Sequence, residues 1–274
     1  MADPLPVVVR KADFIREFQK RAPHRHRYEV FRDFVHMSAF SMANAWPDTR
    51  SESIEAEFET IKAKYSPEEF TGFTRLLALL RELLEPEPRD ILGQLYMSLE
   101  LGNDHTGQFF TPPEVSEMMA RMMVSSEGDP LRGKPFVTLS EPACGAGGMV
   151  LAFVKIMIEA KLNPMHRLWV HAQDVDRTAA LMCYIQLSLW GVPAAVVVGN
   201  TLMNEQREVF HTIGHHMGGW KWRLARQAKE QNAQKATTTT PTDEAPATAT
   251  TAPQEPRTFA PVATSNHGQM GFEF

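Results

Sequence analysis

The sequence predicts an α/β fold: a short parallel sheet with helices on both faces, preceded by an N-terminal helical domain and followed by a disordered C-terminal tail. Three observations carry this. Apolar β-prone runs at Phe136–Leu139, Leu168–Ala172 and Ala195–Val198 alternate with helical stretches. Near-continuous apolar strands separated by helices are the pattern of a parallel sheet covered on both sides. Ahead of them, apolar residues recur at helical spacing in a charged background. Behind them, from about Gln231, the composition collapses into Ala, Thr and Pro, too little apolar surface to offset the entropy of ordering. The boundaries fall at 1–89, 90–230 and 231–274.

Each element has its own reason. From about Ala12 to Glu85, Phe14, Phe18, Phe31, Phe34, Val35 and Phe40 keep helix-like spacings. Ser66-Pro67-Glu68-Glu69 opens a helix: a capping serine, proline at the first position, then acids at the positive end. Leu77, Leu80 and Leu84 mark its buried stripe. A second helix covers Asp90 to Leu101 and packs through Ile91, Leu92, Leu95 and Tyr96. The turn Arg132-Gly133-Lys134-Pro135 leads into the first strand, and a helix follows from about Gly148 to Lys161. The helix after the second strand runs from Arg177 to Trp190 and stops at Gly191. No internal repeat is present.

Composition removes several function classes. With 43% hydrophobic and 22% charged residues in 274, most of the chain is globular. The net charge of −5 supplies no overall basic field, so any nucleic-acid contact is local. Two cysteines, Cys144 and Cys183, do not make a disulfide framework and point to a reducing, cytoplasmic setting. No signal peptide or membrane-spanning stretch is apparent.

The chemistry concentrates at three strand ends. The first strand runs into Glu141-Pro142-Ala143-Cys144-Gly145-Ala146-Gly147-Gly148, a glycine-rich turn at a helix start that lets backbone approach a ligand. A dinucleotide turn wants a third glycine where Val150 stands, and Glu141 repels a pyrophosphate. No Gly-Lys-Ser/Thr follows, which excludes a phosphate-binding Walker loop. A cationic amino-acid nucleoside, S-adenosylmethionine, suits the turn instead. Asp174, in Gln173-Asp174-Val175-Asp176 at the second strand's end, can accept from a ribose diol; alone it reads as a solvated strand end or a helix cap. Asn200, in Gly199-Asn200-Thr201-Leu202, can hydrogen-bond an adenine edge, with Leu202 packing on its face.

Together with Gly107-Gln108-Phe109-Phe110-Thr111-Pro112, and with Asp90-Ile91-Leu92-Gly93-Gln94-Leu95-Tyr96 ahead of it, these motifs closely resemble the adenine-N6 DNA methyltransferases, most of all the modification subunits of type I restriction-modification systems. The likeness covers roughly Asp90 to Leu202. It implies a partial Rossmann-like class I methyltransferase sheet, S-adenosyl-L-methionine as cofactor, and N6-adenine DNA methylation as the associated activity. It further implies that Phe110, Thr111 and Pro112 close over the methionine moiety, that Glu141, Ala143, Gly145 and Gly147 line it, and that Asp174 holds the ribose. Asn200 stands where that family usually has an aspartate at the adenine. Phe109 and Phe110 serve core packing as well. The sequence departs from the family in lacking its Asn/Asp-Pro-Pro-Phe/Tyr catalytic motif, so no catalytic residue is assigned. Asn163-Pro164-Met165-His166 imitates it only in part and is read as a loop. Nothing after Phe210 resembles the later strands of that fold, which leaves the first strand at an open sheet edge.

Lesser signals remain. His211, His215 and His216 lie in a glycine-rich stretch read as a surface loop, and no metal is expected there. Arg10, Lys11, Arg16, Lys20, Arg21, Arg25 and Arg27, and separately Lys221, Arg223 and Arg226 beside Trp220 and Trp222, are either solvated helix faces or DNA contacts. Gln269-Met270-Gly271-Phe272-Glu273-Phe274 resembles peptides that bind the bacterial sliding clamp. The expectation is an S-adenosylmethionine-binding, adenine-specific DNA methyltransferase-like protein that needs a protein partner to complete its sheet. The alternatives are a catalytically inactive, DNA-associated regulatory module, or methylation of a substrate other than DNA.

Overall fold

A computed structural model describes residues 9–47, 50–101, 110–124, 131 and 133–238. The peptide Gln269–Phe274, the stretch Gly107–Phe109 and the tail beyond residue 238 lie outside the described residues.

The N-terminal segment forms four helices: α1 (Lys11–Gln19), α2 (Arg27–Ala43), α3 (Glu52–Lys62) and α4 (Pro67–Leu84). The aromatic residues spaced along them meet in one cluster. Phe14 packs on Phe34 with ring centroids 5.8 Å apart, Phe18 on Phe31 at 6.0 Å, and Phe34 on Phe73 at 6.2 Å. The start of α4 is a full capping box, in which Ser66 Oγ accepts from Glu69 N and Glu69 Oε2 accepts from Ser66 N. Asp33, buried in α2, accepts from Tyr65 Oη (2.9 Å) and Lys64 Nζ (3.1 Å), which compensates its burial.

The second half alternates strand and helix. After α5 (Ile91–Ser98) and α6 (Pro113–Met123) come β1 (Val137–Glu141), α7 (Gly148–Glu159), α8 (Pro164–Arg167), β2 (Leu168–Asp174), α9 (Arg177–Leu189), β3 (Ala194–Val198), β4 (Glu208–His211), α10 (Ile213–Met217) and α11 (Trp220–Thr238). The strands lie in the order β1-β2-β3-β4. β1, β2 and β3 are parallel, with Leu139 opposite Val170 and Val170 opposite Ala194. All five residues of β3 are buried, as its Ala-Ala-Val-Val-Val sequence requires of a strand covered on both faces. The predicted parallel α/β arrangement is therefore present.

Four expectations need correction. β4 pairs antiparallel with β3, Phe210 opposite Val196; at four residues, with Glu208 and His211 at its ends, it is too short to show a strand pattern. The 211–219 stretch is not a surface loop. It holds α10, with Gly214 and His215 buried, and Gly214 is required because a side chain there would strike the Gly191 carbonyl. Asn163-Pro164-Met165-His166 opens a helix, α8, with Asn163 Oδ1 capping Met165 N at 3.0 Å. Finally, α11 continues past Gln231 to Thr238. Lys229-Glu230-Gln231 and Ala233-Gln234-Lys235-Ala236 are good helix formers, and the Thr/Pro-rich composition begins only after them.

One hydrophobic core runs from Phe14 and Phe18 through Leu92 and Leu95 to Val196 and Phe210. It is continuous because α9 is apolar nearly all round: one side covers the sheet and the other packs on α2. Residues 1–229 form one compact unit. β1 occupies one edge of the sheet, and among the described residues no strand pairs with its outer side. In the 211–223 segment, Trp220 packs on Phe136, the residue before β1 (4.8 Å), and donates to the Met165 carbonyl. Among the described residues no helix is long and apolar enough to cross a membrane.

Candidate functional site

The site is built where β1, β2 and β3 end side by side. β1 runs into a turn that takes a left-handed backbone at Gly145 (φ 52°) and Gly147 (φ 95°). A Cβ on Gly147 would also press on Cys183 Sγ at 3.0 Å. A Cβ on Gly145 would press on the Phe110 ring at 3.2 Å. Phe110 is half-buried and edge-on to Tyr96 at 5.5 Å, so it serves packing and borders the turn at once. Thr111 and Pro112 are exposed beside it, at the start of α6.

Asp174 ties the second strand end to this turn. Its Oδ2 accepts from Gly145 N at 2.8 Å and its Oδ1 from Asp176 N at 2.9 Å. The cap of α9 is Asp176, which accepts from Ala179 N at 2.7 Å, so capping does not account for Asp174. Burial pushes the Asp174 carboxyl above the usual carboxylate range, against the pull of its backbone donors. Each oxygen keeps a further lone pair for a ligand hydroxyl. Glu141, half-buried, accepts from Ala143 N at 3.3 Å, and Ala143 is exposed.

The third strand end closes the crevice. Thr201 Oγ1 donates to the Pro142 carbonyl at 2.6 Å, joining the single 3-10 turn Thr201–Met203 to the glycine-rich turn. Asn200 Oδ1 caps that turn by accepting from Leu202 N (3.0 Å) and Met203 N (3.2 Å). Its acceptor is thus committed, and Nδ2 is the group it offers a ligand. Leu202 and Met203 are 98% and 77% exposed, a free apolar wall on which a base can pack. The structure therefore brings Phe110, Glu141, Gly145, Gly147, Asp174 and Asn200 to one side of the sheet.

Two arrangements escape sequence reasoning. Gln186, wholly buried in α9, donates through Nε2 to the Ala146 carbonyl (2.7 Å) and to Asp90 Oδ1 (2.9 Å). Its Oε1 accepts from Ile91 N (2.7 Å) and Leu92 N (3.0 Å), so it clamps the glycine-rich turn to the start of α5. The available signal was one glutamine in an otherwise apolar helix. Cys144 and Cys183, distant in sequence, are buried neighbours, and their hydrogen bond, with burial, raises the Cys144 thiol well above its usual range.

The basic N-terminal residues are largely engaged within the chain. Arg16 pairs with Asp13, Arg21 with Glu17 and Arg25 with Glu29, while Arg27 donates to carbonyls at the end of α1. His211, His215 and His216 pack together, the first two tilted and His216 edge-on to both, with Trp169 Nε1 donating to His215 Nδ1 at 3.2 Å. Burial, with the neighbouring imidazoles, holds His215 down at about 4.

The donor set fits S-adenosylmethionine. Two carboxylates, Glu141 and Asp174, flank an open glycine backbone, and an apolar wall stands beyond Asn200. That suits a cation with a diol and a base, and disfavours a pyrophosphate. No Asn/Asp-Pro-Pro-aromatic sequence exists in the chain, and the strand that follows β3 is the antiparallel β4.

The profile of the N-6 DNA methylase family matches residues 88–248, more than half of the 274. No curated protein matches the sequence. Among solved structures, one neighbour is from Listeria monocytogenes and is assigned as a class I S-adenosylmethionine-dependent methyltransferase; it has 14% identity and a TM-score of 0.38, with 71% of this chain and 55% of that one covered. Another is the methyltransferase subunit of a type I restriction-modification system from Streptococcus thermophilus, with 14% identity, a TM-score of 0.33, and 67% and 54% covered. The chain spans about half the length of these two proteins. From the family match over the segment that builds the site, the chain belongs to the N-6 DNA methylase family, whose cofactor is S-adenosylmethionine.

Proposed function

We propose that this chain is the cofactor-binding portion of an adenine-specific DNA N6-methyltransferase and needs a protein partner for methyl transfer. The observation that carries the reading is the Asp174 carboxylate bonded to Gly145 N, which joins two strand ends into one cradle. In it Asp174 accepts from the ribose hydroxyls. Asn200 Nδ2 donates to a ring nitrogen of the adenine, and Leu202 packs on the base. Glu141, Ala143, Gly145 and Gly147 line the methionine end, with Phe110, Thr111 and Pro112 over it. Bound S-adenosylmethionine supplies an electrophilic methyl group on sulfonium sulfur. DNA is the substrate that family membership favours, and a type I modification assembly is the setting closest to the motif pattern.

The need for a partner rests on two features. The chain has no Asn/Asp-Pro-Pro-aromatic segment to accept from the target amine and stack on the flipped base. β1 also carries an open edge among the described residues, where a further strand can pair. Buried free thiols at Cys144 and Cys183 suit a reducing cytoplasm. The test is transfer of labelled methyl from S-adenosylmethionine to DNA. The chain alone is expected to be inactive, and a partner bearing the missing motif is expected to restore transfer. Methylation by the chain alone contradicts the partner requirement. Cofactor binding with no transfer under any pairing favours the regulatory module.

A further inference from the structure

We propose that the surface around Arg167, Lys221 and Trp222 binds single-stranded DNA, with its cationic groups on phosphates and the Trp222 indole against an unpaired base. It lies at the end of the sheet away from the cofactor cradle, so it holds nucleic acid outside the site of methyl transfer.

The surface is assembled where the parallel strands begin. Lys134 stands just before β1 and Arg167 just before β2, and Val137 and Leu168 are register partners. Glu141 and Asp174 end the same two strands, so β2, at about 3.3 Å per residue, puts about 20 Å between Arg167 and Asp174. Trp220, wholly buried, packs on Phe136 and anchors α11 at this end. Its neighbour Trp222 is 76% exposed. Arg226, four residues on, shares the stripe of α11 that carries Trp222, with Lys221 and Arg223 to either side.

These cations are not matched by carboxylates. Elsewhere in the chain Arg121 pairs with Glu117 and Glu159, and Arg177 with Glu57 and Glu208. Arg167 instead donates to the Pro135 carbonyl (3.0 Å) and Arg223 to the His166 carbonyl (2.7 Å). Among the described residues, neither these two nor Lys221 forms an ion pair. Arg223 is fixed by stacking, its guanidinium carbon 3.8 Å from the Trp220 ring centre and 5.1 Å from that of Phe136. Burial lowers the Arg223 guanidinium below its usual range, and the charges of Arg167 and Arg226 lower it further. In a chain of net charge −5, this cluster is a local positive field that an anion relieves.

Two features select the ligand. Guanidinium and ammonium groups spread over a helix and two strand starts match a row of phosphates better than one small anion. The indole offers a flat face, and a base can stack on it only when unpaired, because bases inside a duplex are covered on both faces. An acidic protein would neutralise the cations and leave Trp222 unused. A solvated helix face accounts for Lys221 and gives Trp222 no role. DNA, rather than RNA, is the strand that membership of a DNA methylase family favours.

The experiment measures binding of labelled oligothymidylate to the full chain over a series of salt concentrations. The wild type is expected to bind with an affinity that falls as salt rises. Trp222→Ala is expected to weaken binding at least about fivefold, as loss of one base stack does, and to leave the salt dependence unchanged. Lys221→Gln and Arg167→Gln are each expected to weaken it and to reduce the slope of log affinity against log salt by about 0.7, the share of one phosphate contact on a single strand. Trp222 and Lys221 are exposed, so their variants are expected to melt with the wild type. No binding by the wild type, or unchanged affinity in Trp222→Ala, overturns the assignment. Tighter binding of a DNA duplex or of oligouridylate overturns it as well, and so does polyglutamate binding as tight as that of oligothymidylate, which marks an acidic protein as the partner. None of these outcomes bears on the cofactor reading, which titration with S-adenosylmethionine tests separately.

Discussion

Gly147 shows how one residue serves backbone and packing together. It holds a left-handed conformation at φ 95° and leaves room for Cys183 Sγ. Gly147→Ala is expected to cost about 1–2 kcal/mol from the backbone alone, more with the Cys183 contact, as read by urea unfolding. The glycines were legible in the sequence because a strand, an acid and a helix bracket them. Gln186 was not, because a lone buried amide is decided by what lies opposite, and Asp90 and Ala146 approach it only through the fold. Asn200 was half legible: the sequence places it at the end of the third strand, but not that its acceptor is spent on the cap it provides. His36 gives a residue-scale pH dependence. It is buried against Thr178, and burial, with Arg177, depresses it to about 4. Between that value and the unfolded value near 6.5 the unfolded chain binds the extra proton, so stability falls as pH drops through this window. Comparing the wild type with His36→Gln removes the contributions common to both proteins, among them carboxyls raised at Asp90 and Asp174 and lowered at Glu117. The wild type is expected to lose on the order of 3 kcal/mol relative to the variant between pH 6.5 and 4. A pH-independent difference contradicts this.

Elements were legible in proportion to their length and regularity. α4 announced itself through its capping box, and β3 through an unbroken apolar run flanked by glycines. β4 did not, since Glu205, Arg207 and Glu208 give its approach the look of a loop, and its partner was already read as a buried strand. What holds β4 is tertiary. Arg177 at the start of α9 bonds Glu208 at 2.8 Å and Glu57 of α3 at 2.6 Å, so the strand is fixed by an arginine 31 positions before Glu208 that is itself held by a glutamate 120 positions earlier still. α10 was hidden by its glycines, which normally argue against helix; Gly214 is there because the Gly191 carbonyl presses on it.

At the scale of the whole molecule, the helical segment and the sheet share α9. Its apolar sequence, Ala179-Ala180-Leu181-Met182-Cys183-Tyr184-Ile185, has no face that suits water, which is the physical reason the core is continuous. Residues 1–229 are therefore expected to melt in one cooperative transition, monitored by calorimetry; two resolved transitions contradict a shared core. The central claim is that Asp174 and the turn from Glu141 to Gly148 make a working cofactor site in this chain. Calorimetric titration of the folded protein with S-adenosylmethionine, beside Asp174→Ala, tests it most directly. Saturable one-to-one binding, weakened at least about tenfold by the substitution, is the result expected of a carboxylate that accepts from a ribose diol. Absence of binding, or equal binding by both proteins, contradicts it.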